Sequence, residues 1–343
     1  MRCGSPRFQL SGSRDEVLAV LGGRLLARRP VFSGLPSLTA EGLRKAGVAY
    51  HGAHTAANAM AAAAASTHAS YGFESAVVPF DLCVEAEALG CGVDFQADSD
   101  AYLAPVIIKS LCWDEWPPPG LDDVLRSGRI PLIAKALNLL RQSVGGEVAI
   151  GAWLPGPFTL AWQLFGAEAW LAGLAEPDRA SGILDCLAKM LAGVGRRYAD
   201  AGADFLTIHE MGGSPQVIGA KHFRSFVARP LRRLIADLPR PRVLSICGAT
   251  NEIVQDMAAL GADGLHVDQR NDLARTRRVL GPEAVLVGNF DPVSLLAQGT
   301  PSDITAAVRK IVASGANAIW PGCDLWPDIP DKNFRTLMAA ADA

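Results

Sequence analysis

Apolar residues in this chain fall in short, near-continuous runs separated by longer amphipathic stretches. Parallel strands covered by helices on both faces read this way. Eight runs fit, at 30–33, 75–80, 148–154, 203–210, 242–248, 262–268, 284–290 and 316–323. Three begin with one small-residue phrase: Ala201-Gly202-Ala203-Asp204, Leu260-Gly261-Ala262-Asp263 and Ser314-Gly315-Ala316-Asn317. Each reads as a helix C-cap followed at once by a buried strand. The echo predicts an α/β fold, a single (β/α)8 barrel over 1–343 with an N-terminal helical extension over 1–29. A doubly wound open sheet is the competing topology, but no Gly-x-Gly-x-x-Gly follows a strand to support it.

Two intervals break the rhythm. Residues 38–54 read as an irregular insertion ahead of an alanine-rich helix over 53–70. Residues 94–119, with Trp113, Trp116 and three consecutive prolines, read as a meandering cover. Long loops over the carboxyl ends of barrel strands lie where active sites form in this fold.

Composition narrows the function. A net charge of −3 and the lack of a basic run with interleaved aromatics argue against nucleic-acid or anionic-membrane partners. No apolar stretch reaches spanning length, and residues 1–26 carry scattered charges rather than the apolar core of a signal peptide. Seven cysteines at irregular spacing are not a disulfide framework. A reducing cytoplasm fits, where paired cysteines bind metal or do chemistry. Homodimer formation is left open by the sequence.

The chemistry concentrates at strand ends. Cys247 and Cys323 each close an apolar run beside a glycine, 76 positions apart, too far for a local zinc knuckle. Parallel strands that bring them together would form half of a catalytic zinc site; otherwise both are small buried hydrophobes. His209 and Glu210 end the fourth run, and side-chain alternation lets only one of them face the barrel interior. Glu210 reads as a metal ligand, a general base or a partner for the next helix. His266 and Asp268 end the sixth run, and Asp268, nearer the rim, is the better functional candidate. Asn289 supplies a polar group at the seventh, while Trp153, Phe158, Trp320 and Trp326 form either an apolar pocket or barrel-top core.

With these pieces in place the chain resembles the uroporphyrinogen decarboxylase superfamily, and within it the methylcobalamin:thiol methyltransferase branch. The most specific stretch is Val78-Pro79-Phe80-Asp81-Leu82-Cys83-Val84-Glu85-Ala86-Glu87-Ala88-Leu89-Gly90. Gly156-Pro157-Phe158-Thr159-Leu160-Ala161, Gly288-Asn289-Phe290-Asp291-Pro292 and Pro321-Gly322-Cys323 are similar to further motifs of that branch. The resemblance implies zinc held by a His-x-Cys pair and a distant cysteine, placing Cys247 and Cys323 on the cysteine positions. Ser245 stands at the histidine position, and a hydroxyl is a poor zinc ligand. Either zinc is lost or the third ligand comes from elsewhere: Glu210 first, then His209 or His266.

The implied activity moves a methyl group between a corrinoid and a small donor or acceptor, such as a thiol, tetrahydrofolate or a methoxy compound in O-demethylation. No Asp-x-His-x-x-Gly motif for holding a corrinoid occurs, so the corrinoid rides on a separate partner protein. Glu210, Asp81 and Asp268 are the catalytic candidates; His209, Trp153, Phe158, Asn289 and Trp320 are those for substrate binding. Two alternatives remain: a decarboxylase-like lyase with Asp81 near the reacting pyrrole, and an inactive barrel that only binds the corrinoid protein. Against the lyase, no arginine follows the first run to receive a polycarboxylate substrate.

Overall fold

The computed structural model describes residues 12–343 apart from Asp100 and Pro117, and gives only the backbone of Glu115. Seven strands form one curled parallel sheet: β1 (Ser75–Val78), β4 (Ala149–Pro155), β5 (Phe205–His209), β6 (Arg242–Ile246), β7 (Gly264–Val267), β8 (Leu286–Phe290) and β9 (Ala318–Pro321), in that order. The first expected strand, 30–33, is reduced to a single parallel bridge between Val31 and Ile319. It still fills the eighth place. Phe32 N donates to Ile319 O at 3.2 Å and Ile319 N to Pro30 O at 3.0 Å on the β9 side. On the β1 side Glu74 N reaches Val31 O at 3.0 Å, and the Glu74 and Ser75 side chains take the remaining bonds. The curled sheet is therefore not closed by an eighth strand; this segment spans the gap between β9 and β1 without a continuous ladder.

The interior follows the period-two rule. Phe32, Val77, Trp153, Phe205, Val243, Val287, Ala318 and Trp320 pack into one inner cluster. Their neighbours Leu154, Leu206, Leu244 and Ile319 face the helices in the outer core. Helix Ser13–Leu21 of the expected extension adds Val17, Val20 and Leu21 to the inner cluster, while residues 1–11 lie outside the described residues.

Both irregular intervals contain more order than their composition suggests. Within 38–54 lie helices Ala40–Ala46, started by the Thr39 side chain, and Gly52–Thr55, ahead of the alanine-rich helix Ala57–Tyr71. The cover opens with an antiparallel hairpin of β2 (Gly92–Asp94) and β3 (Val106–Lys109). Its Trp113 and Trp116 pack on Phe165. Among the described residues no helix is long and apolar enough to cross a membrane.

Candidate functional site

Residues at the carboxyl ends of β4, β5 and β9 line a cleft of about 990 Å³, roofed by the 101–107 segment and by Leu325, Trp326 and Pro327. His209 and Cys323 line this cleft, as do Trp153, Asp81 and Asp324. Alternation along β5 decides between the two candidates at its end. Phe205, Thr207 and His209 share the inner face, so His209 points into the barrel and Glu210 outward.

His209 Nε2 lies 3.5 Å from Cys247 Sγ. The Cys323 thiol donates to Asp324 Oδ1 at 2.9 Å and lies close enough to Cys247 for the two thiols to influence each other's ionisation. The neighbouring Cys323 thiol, reinforced by His209 against the cost of burial, lowers the pKa of Cys247 to about 4, while that of Cys323 is raised. Cys247 is therefore the thiolate of the pair. His209 is fully buried, which opposes its protonation, yet the neighbouring thiolate outweighs burial and raises its pKa.

Behind His209 a buried chain of polar groups crosses the barrel. His209, Ser245 and His266 are register partners on β5, β6 and β7. His209 Nδ1 is 2.9 Å from Ser245 Oγ, Ser245 Oγ is 2.7 Å from His266 Nδ1, and His266 Nε2 is 2.9 Å from Pro321 O. His266 also stacks on Trp320, ring centroids 5.1 Å apart. Burial, with His209 nearby, pushes the His266 pKa down to about 3. Unfolded histidine titrates near 6.5, so the unfolded chain takes up a proton first as pH falls, and stability is lost from about pH 6.5 down to about 3. His266→Gln should therefore remove a slope of up to about 1.4 kcal/mol per pH unit in that window, measured as denaturant midpoint against pH.

The structure places the other candidates away from the two sulfurs. Glu210 is not among the sulfurs. Its carboxylate accepts from Phe158 N (3.1 Å), Thr159 N (2.9 Å) and Gly213 N (3.1 Å), and from the Thr159 hydroxyl. It thus serves the N-terminus of helix Pro157–Phe165, where backbone N–H groups lack partners, and its hydrogen bonds hold it away from the two sulfurs. Gly156 permits the approach, because a Cβ there would strike this carboxylate.

Asp268 holds the loop carrying Cys247. It accepts from Gly248 N, from Arg270 N at 2.8 Å and from Asn271 Nδ2 at 3.1 Å. Gly248 itself needs φ +88°, which favours glycine. Asn289, expected at the substrate, gives its amide to Asp268 O and Asn271 O, each at 2.7 Å. Phe158 is buried against Trp170, and Trp320 lies inside the barrel beside Phe32; neither reaches the cleft. Trp153 does, with its indole Nε1 donating to Pro79 O at 2.6 Å and its ring beside His209.

Asp81 lines the wall but is fully engaged. His54 Nδ1 (2.8 Å), Arg129 Nη1 (2.7 Å) and Nη2 (2.9 Å), and Cys83 N (2.9 Å) surround its two oxygens. Burial opposes its ionisation, but the bonds from His54 and Arg129 prevail and hold it at about 2. An ionised carboxylate so held has no proton to give. Sequence reasoning missed His54, Arg129 and Asp324, which become partners only through the fold.

The donors suit a thiophilic ion. In a tetrahedral zinc site with bonds of about 2.3 Å to sulfur and 2.0–2.1 Å to nitrogen, the S···N edge is about 3.5–3.6 Å. The observed Cys247–His209 separation is 3.5 Å. Among the described residues no three His, Cys, Asp or Glu side chains are yet arranged around a common point, with Cys323 shared between Cys247 and Asp324.

A parallel barrel that presents two thiols and an imidazole at its carboxyl rim defines an α/β-barrel protein with its reactive groups on the strand ends. The chain belongs to the uroporphyrinogen decarboxylase (URO-D) family, whose sequence model matches residues 12–343. It is 30% identical to a methylcobamide:CoM methyltransferase (MtaA) of Methanosarcina barkeri, covering 96% of this chain and 97% of that protein. A methylated-thiol–coenzyme M methyltransferase of Methanosarcina mazei is 27% identical over 97% of this chain and 89% of its own. Among solved structures, a methyltransferase from Methanosarcina mazei superposes with a TM-score of 0.90 at 28% identity, covering 96% of this chain and 98% of that one.

Proposed function

We propose that this protein is a zinc-dependent methyltransferase that moves a methyl group between a corrinoid, carried by a separate protein, and a small thiol. One observation carries the reading: Cys247 and Cys323, remote in sequence, come together beside His209 at the end of a cleft. Cys247, Cys323 and His209 would hold the ion, with Cys323 exchanging its contact with Asp324. Bound there, zinc would keep a substrate thiol deprotonated at neutral pH, or act as a Lewis acid on a methylated heteroatom.

The chain's own groups do the rest. Glu210 and Asp268 fix the two loops that aim the donors, and Trp153 backs His209 with its ring. Leu35, Phe80, Leu325 and Trp326 give the cleft apolar walls that exclude water from the reacting sulfur. The described lining contains Asp81, Asp324 and Asp328 and no lysine or arginine. A polycarboxylate would meet carboxylates and no compensating cation, so the lyase reading is disfavoured. Methoxy donors and tetrahydrofolate remain outcomes of the same test.

The test follows the visible spectrum of methylcobalamin mixed with the protein and, in turn, a simple alkanethiol, tetrahydrofolate and a methoxyarene with reduced cobalamin. Demethylation with the thiol, and S-methylated product, is the expected result. No reaction with any acceptor, together with carbon dioxide release from uroporphyrinogen, would favour the lyase instead.

A further inference from the structure

The chain of hydrogen bonds behind His209 has a direction, and the direction follows from its far end. A carbonyl oxygen only accepts, so at 2.9 Å from Pro321 O the Nε2 of His266 must carry a hydrogen. The opposite tautomer would set two lone pairs against each other in a fully buried place. His266 is completely buried with only Ser245 Oγ and Pro321 O as hydrogen-bond partners and no carboxylate to offset a charge, so the ring is neutral and its Nδ1 is a lone pair. Ser245, also fully buried, must then donate its one hydroxyl hydrogen to His266 Nδ1 at 2.7 Å. Its oxygen is left as the acceptor for the group 2.9 Å away, His209 Nδ1.

We infer that Ser245 and His266 are positioning residues that fix the proton of His209 on Nδ1 and so keep Nε2 turned, as the variable nitrogen, toward Cys247. With an ion held by the two cysteines, Nε2 offers its lone pair. Without one, Nε2 faces the Cys247 sulfur at 3.5 Å. In both conditions Nδ1 keeps its hydrogen, because the Ser245 oxygen has no other donor on that side. The ring nitrogen that a histidine offers to a metal is set by what its other nitrogen binds.

This arrangement gives Ser245 a task its residue type does not announce. The hydroxyl is no ligand. It braces the imidazole supplied by the register partner on the neighbouring strand. The same relay ties the two sulfur-bearing loops together, since it starts at Cys247 and ends on the carbonyl of Pro321, two residues before Cys323. The metal part of the inference rests on the zinc reading above; the proton placement does not.

The experiment is long-range nitrogen–proton correlation on protein labelled with 15N-histidine, first freed of metal and then loaded with cadmium. Wild type should show a hydrogen on His209 Nδ1 in both conditions. A His209 with bare Nδ1 and protonated Nε2 would overturn the inference, whatever the activity. In Ser245→Ala the Nδ1 hydrogen loses its acceptor, so the proton should shift to Nε2 and metal affinity should fall about 10- to 100-fold in chelator competition. Ser245→Thr, which keeps the hydroxyl, should restore both. A Ser245→Ala protein that is folded and retains the Nδ1 proton unchanged would also contradict it. If no methyl transfer is found while His209 reads as expected, the functional reading fails and the relay stands.

Discussion

Cys247→Ala is expected to empty the protein of zinc and to lower methyl transfer by about 10²–10³-fold or more, the rate equivalent of several kcal/mol of Lewis-acid stabilisation. The substitution removes the sulfur that lies beside both Cys323 and His209, so no pair of the three donors remains joined. Its cost to the fold should be small, about 1 kcal/mol, because the loop is held by Asp268, Asn271 and Asn289 rather than by the thiol. Turnover of methylcobalamin and metal content on one preparation check it, with thermal unfolding as the control.

Arg129→Ala should have the largest effect on stability, a loss of about 3–5 kcal/mol, because it strands a buried carboxylate. Arg129 grips both oxygens of Asp81 and also reaches Glu87 at 2.6 Å, with its own side chain 5% exposed. The pH dependence should invert. In wild type the Asp81 pKa of about 2 lies below its ordinary value, so its contribution is present above about pH 4 and fades as pH falls toward 2. Without the guanidinium, burial dominates and the carboxyl pKa rises above ordinary. The deficit of the variant should therefore be largest at neutral pH and shrink on mild acidification, as denaturant titrations at pH 7 and pH 5 would show.

Much of this was legible before the fold was known. The buried runs place the seven strands, and the glycine-alanine phrase marks the helix-to-strand junctions because a left-handed cap and a following apolar run are local requirements. Gly202, Gly261 and Gly315 all adopt positive φ. The two cysteines stood out for the same reason, each closing such a run. What was not legible depends on neighbours in space. Segment 30–33 looks like a strand by composition, yet its far edge is satisfied by Glu74 and Ser75 side chains rather than a ladder.

Glu210 had the right chemistry at a strand end, but alternation gave the inner face to His209 and left Glu210 to an adjacent helix terminus. The register that sets His209 beside Ser245 was the hidden signal. Counting back by twos from the inner residues of β5 would have pointed to it. Trp320 and Phe158 show the common limit of reading aromatics: hydrophobicity predicts burial, not which cavity a ring faces.

Whether Cys247, Cys323 and His209 grip a metal ion is measured most directly by elemental analysis with zinc-edge X-ray absorption on freshly purified protein. The predicted result is about one zinc per chain in a shell of two sulfurs at about 2.3 Å and at least one imidazole nitrogen. Protein that transfers methyl groups at full rate with no bound metal, or zinc held without sulfur, would contradict it.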